Sequence, residues 1–237
     1  MKYVLFVDSG LGGATIIKEL LNKNCKINFI FHCENRFAPL GNLNKVKLTN
    51  LCFKIVEGYL EKYDISLIVL ACNTLTSSCI KDLRAKFAIP IVGVEPNIKV
   101  QQGNTMVLAT KYTIKNCYLL KGLDCELLAL PKLSFYIDKY YPERLKINKY
   151  LCKKLPVNKN FDNIVLGCTH YILVKEQLQK MFKNARIYDS ISGTVKQILR
   201  LVDINTLCDE KSIIVLSKQD KRLYEKIKKY IYTPKKM

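Results

Sequence analysis

Apolar residues along the chain fall into short runs that alternate with longer stretches in which they recur at helical spacing. The runs predict eight β-strands: Tyr3–Val7, Ile27–His32, Ser66–Ala71, Ile91–Val94, Thr105–Leu108, Cys125–Ala129, Asn163–Leu166 and Arg186–Tyr188. Helices are predicted between them, and the clearest are Thr15–Leu21, Lys45–Tyr63 and Ser77–Phe87. This alternation is typical of an α/β fold in which a parallel sheet is covered by helices on both faces.

Two segments of the chain resemble each other. Ser66–Thr74 reads SLIVLACNT and Asp162–His170 reads DNIVLGCTH, and in each an apolar strand precedes a small residue, a cysteine and polar residues. The two cysteines are 96 positions apart (168 − 72). A shorter similarity relates the segments around Asp8 and Asp189. The sequence therefore predicts two similar parallel-sheet α/β domains that face each other across a cleft, each with one cysteine.

The predicted carboxyl ends of the strands carry most of the candidate functional side chains. Open α/β folds bind their ligands beyond these ends. The polar and thiol groups placed there are Asp8, Ser9, Cys72, Asn73, Thr74, Cys168, Thr169 and His170. Packing does not require so many polar groups at one edge, so we predict a small-molecule binding site in the cleft.

The paired cysteines suggest a reaction. A thiol that lies just before a helix faces backbone N–H groups and the positive end of the helix dipole, and both are expected to lower its pKa. Inverting a stereocentre needs a base on one face of the carbon and an acid on the other, roles that Cys72 and Cys168 could exchange. The carbanion formed between them needs hydrogen-bond donors, and the hydroxyls of Ser9, Thr74 and Thr169 are candidates.

The charge of the chain raises a competing hypothesis. Its 39 Lys and Arg residues outnumber 20 Asp and Glu residues, which gives a formal net charge of +19. A nucleic-acid-binding protein with this charge should contain a recognisable binding module, and the tyrosine- and lysine-rich segments 136–150 and 224–232 match none. The lysines are mostly dispersed, which favours a solvated surface that attracts an anionic substrate, and a nucleic-acid partner is not expected.

The ten cysteines do not follow the spacing of a metal site. There is no CxxC pair, and His32 and His170 are the only histidines, so we expect no metal. The five apolar residues Tyr3–Val7 are too few for the core of a signal peptide, and no apolar run reaches the roughly 18 residues that span a bilayer. We therefore expect a cytoplasmic protein with reduced thiols and no membrane partner.

Six segments, in order along the chain, resemble the motifs of glutamate racemases, which belong to the aspartate/glutamate racemase superfamily. They are Asp8–Gly13 (DSGLGG), Pro39–Gly41 (PLG), Ala71–Thr74 (ACNT), Pro90–Pro96 (PIVGVEP), Thr110–Thr113 (TKYT) and Leu166–Tyr171 (LGCTHY). The resemblance implies a cofactor-independent enzyme that interconverts L- and D-glutamate and supplies D-glutamate for peptidoglycan. It also implies two domains, residues 1–96 with 189–237 and residues 97–188.

The resemblance further implies roles for individual residues. Cys72 and Cys168 would be the acid/base pair, with Asp8 assisting the first and His170 the second. The implied substrate contacts are Asp8, Ser9, Leu40, Gly41, Asn73, Thr74, Thr169 and His170, of which Leu40 and Gly41 act through the backbone. No cofactor or metal is implied, and a homodimer is compatible with the sequence.

The sequence departs from the family pattern at four positions. Leu40 stands where the substrate loop carries tyrosine, and Arg36 lies one position earlier than usual. Asp138 stands where glutamate is usual, and Ile172 replaces a proline. Because Leu40 removes a hydroxyl from the substrate loop, two alternatives stay open: a racemase of aspartate or another acidic amino acid, and a catalytically weak homologue.

Overall fold

Two parallel β-sheets form the framework of the protein, here described by a computed structural model. The described residues contain nine strands: β1 (Lys2–Asp8), β2 (Phe29–Cys33), β3 (Asp64–Leu70), β4 (Ile91–Gly93), β5 (Thr105–Ala109), β6 (Glu126–Ala129), β7 (Asn163–Gly167), β8 (Arg186–Tyr188) and β9 (Ile214–Leu216). The first sheet has the order β4-β3-β1-β2-β9, and the second has the order β6-β5-β7-β8. All pairings are parallel, so the predicted fold class is confirmed.

Helices connect the strands and cover both sheets. Those described are α1 (Ala14–Asn22), α2 (Lys45–Leu60), α3 (Asn73–Lys86), α4 (Lys111–Asn116), α5 (Leu133–Tyr140), α6 (Leu145–Lys154), α7 (Lys175–Met181), α8 (Ile191–Leu201) and α9 (Lys221–Tyr232). Short 3₁₀ segments occur at Leu40–Asn42, Tyr118–Leu120 and Thr169–Val174. The helix predicted at Ser77–Phe87 begins earlier, at Asn73, and therefore starts directly after Cys72.

The structure describes residues 1–38, 40–99, 102–202 and 220–233, together with the backbone of 214–216. Pro39 of the PLG motif lies outside the described residues, as do parts of the tail assigned to the first domain. Strand β9 was not predicted, and it pairs with β2 in the first sheet. The limits of the two domains stay a prediction.

Strand β1 illustrates why the sheet forms the centre of the first half. Val4, Leu5, Phe6 and Val7 are fully buried, because successive side chains of a strand point to opposite faces and both faces are covered. Val4 and Phe6 pack into one hydrophobic cluster, whereas Leu5 and Val7 pack into another beneath α2 and α3. The first cluster continues into the second half of the molecule, so the two halves share part of their core.

Candidate active site

The carboxyl ends of β1, β3 and β7 meet at a small cavity of about 40 Å³. The predicted site residues that line it are Ser9, Leu40, Gly41, Cys72, Thr74, Cys168 and His170. The cavity is also lined by residues that the sequence did not assign to the site, namely Ala38, Thr110, Ser134, Phe135 and Asp138. One cysteine from each sheet therefore reaches a common space.

Cys72 follows β3 in an extended conformation and immediately precedes α3. Burial raises the pKa of its thiol well above the ordinary range, and the negative charge of Asp8 adds to this effect. Backbone N–H groups of Leu75 and Thr74 act in the opposite direction but are outweighed. The prediction of a lowered Cys72 pKa is therefore wrong. Burial destabilises the thiolate by more than the backbone N–H groups at the start of α3 stabilise it.

Cys168 follows β7 and has a different neighbour. Its Sγ lies 4.0 Å from Nδ1 of His170, whose Nε2 is 3.1 and 3.2 Å from the two carboxylate oxygens of Asp138. Burial on its own would lower the pKa of His170, but the charge and hydrogen bond of Asp138 outweigh burial and raise this pKa well above its usual range. The imidazole is therefore held protonated, and a protonated imidazole beside a thiol stabilises negative charge on sulfur.

Asp8 ends β1 and is fully buried. Its carboxylate accepts a hydrogen bond of 2.7 Å from the backbone N–H of Ser9 and another from that of Gly13. Burial raises the pKa of Asp8 to about 6, although His170 and these two N–H groups lower it in part. Asp8 thus holds the turn before α1 in shape and places a titratable carboxylate close to Cys72.

The glycine-rich loop between β1 and α1 packs directly against the second half of the site. A Cβ atom added to Gly10 would lie 2.3 Å from Oδ2 of Asp138, and one added to Gly12 would lie 2.5 Å from Oγ1 of Thr169. Real Cβ atoms do not approach other atoms so closely, so only glycine fits at these two positions. Two of the three glycines in the DSGLGG motif are therefore explained by contact between the two halves of the molecule, whereas Gly13 packs against Ala71 and Asp8 of the first half.

Three of the predicted substrate contacts, Asp8, Asn73 and Thr169, do not line the cavity. The Nδ2 group of Asn73 donates to the carbonyl of Val94 at 3.2 Å, so this side chain is directed toward the segment after β4. Thr169 is buried beside Gly12, and its hydroxyl has no hydrogen-bond partner among the described residues. Their roles as substrate contacts stay predictions.

The loop that carries Leu40 is fixed from two sides. Glu34, fully buried after β2, accepts hydrogen bonds from the backbone N–H and the guanidinium of Arg36. Further along the loop, the side chain of Leu40 is only 2% exposed and packs in the cluster that contains Cys72. The position where the family carries tyrosine is therefore filled by an apolar side chain in contact with the first half of the core.

Polar contacts also join the halves on the other side of the cavity. The hydroxyls of Thr74 and Thr110 are 3.1 Å apart, and Tyr112 donates to Ser78 at 3.0 Å. Thr110 belongs to the TKYT motif, but it was not assigned to the site. Asp138 was noted only as a departure from the family pattern. Its contacts to His170 and to the backbone N–H of Leu11 join residues 32 and 127 positions apart, which local sequence patterns do not indicate.

The described residues can also be compared with the requirements of a metal site and of a membrane-spanning helix. They contain no cluster of three or more His, Cys, Asp and Glu side chains arranged to hold a metal ion. None of their helices combines the length and the apolar character needed to cross a membrane.

Comparison with known proteins identifies close relatives, although no family model matches the chain. The chain is 32% identical to a glutamate racemase from Leptospira borgpetersenii over 221 residues, which cover 88% of this chain and 85% of the relative. It is 33% identical over 247 residues to one from Clostridium perfringens, with 95% of each chain covered. A crystal structure of the Escherichia coli enzyme with L-glutamate and the activator UDP-MurNAc-Ala superposes with a TM-score of 0.83 at 25% identity, covering 97% of this chain and 95% of that one.

Proposed function

The chain belongs to the glutamate racemase family, and from this premise we propose that it interconverts L- and D-glutamate with Cys72 and Cys168 as alternating base and acid. It is thus an isomerase that acts on amino acids. The observation that carries the proposal is the cavity at the strand ends, where a thiol from each sheet reaches the same space. Two acid/base groups on opposite sides of one carbon are what inversion requires.

In the proposed reaction, the thiolate of one cysteine removes the α-proton of glutamate and becomes a thiol. The electron pair of the broken C–H bond stays on Cα and forms a carbanion. The thiol of the other cysteine then donates its proton to the opposite face of Cα. The product is the other enantiomer, and the two sulfurs have exchanged protonation states. The raised pKa of Cys72 suits this chemistry, since a thiolate that binds its proton tightly is a stronger base toward a weakly acidic C–H bond.

The neighbours of the two cysteines support the division of roles. Protonated His170 lies beside Cys168, where it can stabilise the thiolate and donate a hydrogen bond to developing charge on the substrate. Ionised Asp8 lies near Cys72 and disfavours negative charge there. We propose that Cys72 rests as the thiol and that His170 stabilises negative charge on Cys168 during the reaction.

The substrate carboxylates need donors in a site with limited space. Ser9 and Thr74 line the cavity, and the hydroxyl of Thr169, which has no hydrogen-bond partner among the described residues, lies beside Gly12. We assign these hydroxyls, with the backbone of Leu40 and Gly41 and the side chain of Asn73, to substrate binding, as the family resemblance implies. Because about 40 Å³ holds only a few water molecules, glutamate must widen this cavity when it enters.

The setting of the reaction follows from its chemistry. Both thiols must stay reduced, which favours the cytoplasm. No cofactor or metal takes part in the proposed steps, because the two cysteines supply both proton transfers. D-glutamate made by the enzyme would serve peptidoglycan synthesis.

The experiment is a chiral assay in D₂O with L-glutamate, D-glutamate and the two enantiomers of aspartate. Either enantiomer of glutamate should acquire deuterium at Cα as it racemises, because each thiol exchanges its proton with solvent. Cys72→Ala and Cys168→Ala should each lower kcat by at least about 10²- to 10⁴-fold, the usual contribution of a general acid or base. Cys152→Ala is the matched control, since Cys152 is exposed on α6 and should be dispensable.

Racemisation of aspartate but not glutamate would overturn the substrate assignment. Near-normal turnover by Cys72→Ala, or racemisation without solvent deuterium, would overturn the two-cysteine mechanism. Activity that is lost in EDTA and restored by a metal would do so as well.

A further inference from the structure

We propose that Lys226, on the C-terminal helix α9, is a positioning residue for Cys168, acting through the end of α5, Asp138 and His170. The proposal rests on the function given above and extends it to a residue far from the cavity in sequence. Lys226 does not line the cavity with the two cysteines and has no contact with the reacting atoms. It lines a neighbouring cavity of about 340 Å³ whose wall also includes Asp138.

The first step is the contact between Lys226 and α5. Its Nζ donates two hydrogen bonds of 2.7 Å, one to the backbone carbonyl of Asp138 and one to that of Lys139. These carbonyls lie in the last turn of α5, where backbone oxygens have no partner within the helix. A cation at this end also interacts favourably with the helix dipole. The lysine therefore caps α5 from outside, across the gap between α9 and α5.

The second step is the side chain of Asp138 itself. Its carboxylate accepts a 2.9 Å hydrogen bond from the backbone N–H of Leu11 and lies 3.1 Å from Nε2 of His170. The same residue is thus held at its carbonyl by α9 and at its carboxylate by the glycine-rich loop and the catalytic histidine. A shift of the α5 terminus would move the carboxylate away from His170, and the imidazole would lose the group that orients it toward Cys168.

The third step is that helix α9 holds Lys226 in a fixed position. Helix α9 is anchored by the buried side chains Leu223, Ile227 and Ile231. Asp220 caps its start by accepting from the N–H of Leu223 and also accepts a 3.0 Å hydrogen bond from Asn35 in the loop after β2. Lys226 is half-buried one turn after Leu223. A half-buried ammonium group on an anchored helix can hold a fixed position, as an exposed lysine cannot.

The first measurement monitors His170 directly and does not depend on catalysis. Because His32 and His170 are the only histidines in the chain, NMR of histidine-labelled protein follows the imidazole of His170 directly, and the signals of His32 serve as an internal reference. The groups that face His170 are Asp138, Cys168 and Asp8. In Lys226→Met the midpoint for His170 should fall by up to about one pH unit, since part of the attraction to Asp138 is lost. The NMR signals of His32 should be the same in the variant and in the wild type.

The second measurement is the pH profile of glutamate racemisation. Lys226→Met should lower kcat/KM by about 10- to 100-fold, the effect of misplacing a catalytic group by about 1 Å, and should move the alkaline limb to lower pH. Lys226→Arg, which keeps two donors on a cation, should restore both properties. Lys228→Met is the control, because Lys228 is an exposed lysine of the same helix, and it should behave as the wild type.

Unchanged His170 titration in a folded Lys226→Met protein would overturn the positioning role, as would loss of activity without a change in the pH profile. Failure of Lys226→Arg to recover the wild-type His170 midpoint would also count against it. If the wild type does not racemise glutamate while the His170 midpoint shifts as described, the proposed function fails and the positioning of His170 by Lys226 stands.

Discussion

At the scale of single residues, the two cysteines occupy equivalent places but have opposite neighbours. Cys72 lies near the buried carboxylate of Asp8, whereas Cys168 lies beside a histidine held protonated by Asp138. An anion near one sulfur and a cation near the other favour an unequal pair, with the proton on Cys72. A two-base racemase needs this asymmetry, because two thiols offer no base and two thiolates offer no acid.

The pH dependence of the reaction should report on Asp8. Its pKa is raised to about 6, so the carboxylate is ionised above that pH and gains a proton as the pH falls through it. A protonated carboxyl accepts hydrogen bonds less well, and the N–H groups of Ser9 and Gly13 lose part of their partner. We therefore predict that kcat/KM falls as the pH drops below about 6.

Asp8→Asn should resemble the protonated state at every pH. Its activity at pH 8 should be about 10- to 100-fold lower, the equivalent of one hydrogen bond to a charged group, and its acid limb near pH 6 should vanish. The control is Asp189→Asn, at the similar position directly after β8, where the carboxylate contacts Ile191 and Lys175 and lies outside the cavity. Steady-state kinetics from pH 5 to 9 make the comparison, and an acid limb that persists in Asp8→Asn would refute the assignment.

At the scale of elements, the loop between β1 and α1 is shaped by what it touches. Gly10 and Gly12 face Asp138, Thr169 and His170 across the boundary between the halves. The loop also donates a backbone N–H to Asp138 from Leu11. We therefore predict that it acts as a spacer that sets how closely Cys72 and Cys168 approach each other.

Adding a methyl group to this loop should separate the halves. In Gly12→Ala the new Cβ would lie 2.5 Å from Oγ1 of Thr169 and 2.7 Å from the backbone nitrogen of His170, so the loop or the segment after β7 must shift. We expect kcat/KM to fall by about 100-fold and the free energy of unfolding to fall by about 1–3 kcal/mol.

The matched control is Gly58→Ala. Gly58 lies within α2, and a Cβ there would meet nothing within 4 Å. This variant should be fully active and more stable by about 0.5–1 kcal/mol, the usual gain for alanine in a helix. Kinetics and urea denaturation of both variants test the idea, and wild-type kinetics in Gly12→Ala would show that the loop does not set the spacing.

At the scale of the whole molecule, the formal net charge of +19 is opposite in sign to the anionic substrate that we propose. Positive potential raises the local concentration of anions, and salt screens it with a Debye length of about 10 Å at 0.1 M. The KM for glutamate should therefore rise with NaCl concentration, whereas kcat, measured at saturation, should change little. Sodium sulfate at equal ionic strength is the control, because screening depends only on ionic strength, whereas competition for the site depends on the identity of the anion. A KM that is independent of the concentration of both salts would contradict the prediction.

The sequence by itself determined eight of the nine described strands, the parallel α/β class and the placement of Cys72 and Cys168 just after two similar strands. These features are local, because the periodicity of side chains and the end of an apolar run depend only on consecutive residues. The motifs were also sufficient to indicate the family, since six of them occur in order over nearly the whole chain.

Only the tertiary structure decided how the site is held. Asp138 meets His170 and Leu11, and Lys226 meets the end of α5, through contacts 32, 127 and 88 positions apart. Such residues become neighbours only in the folded chain, so no local sequence pattern predicts these contacts. The raised pKa of Cys72 also depends on the tertiary structure. Burial raises this pKa against the effect of the backbone N–H groups, and the extent of burial depends on everything packed around the sulfur.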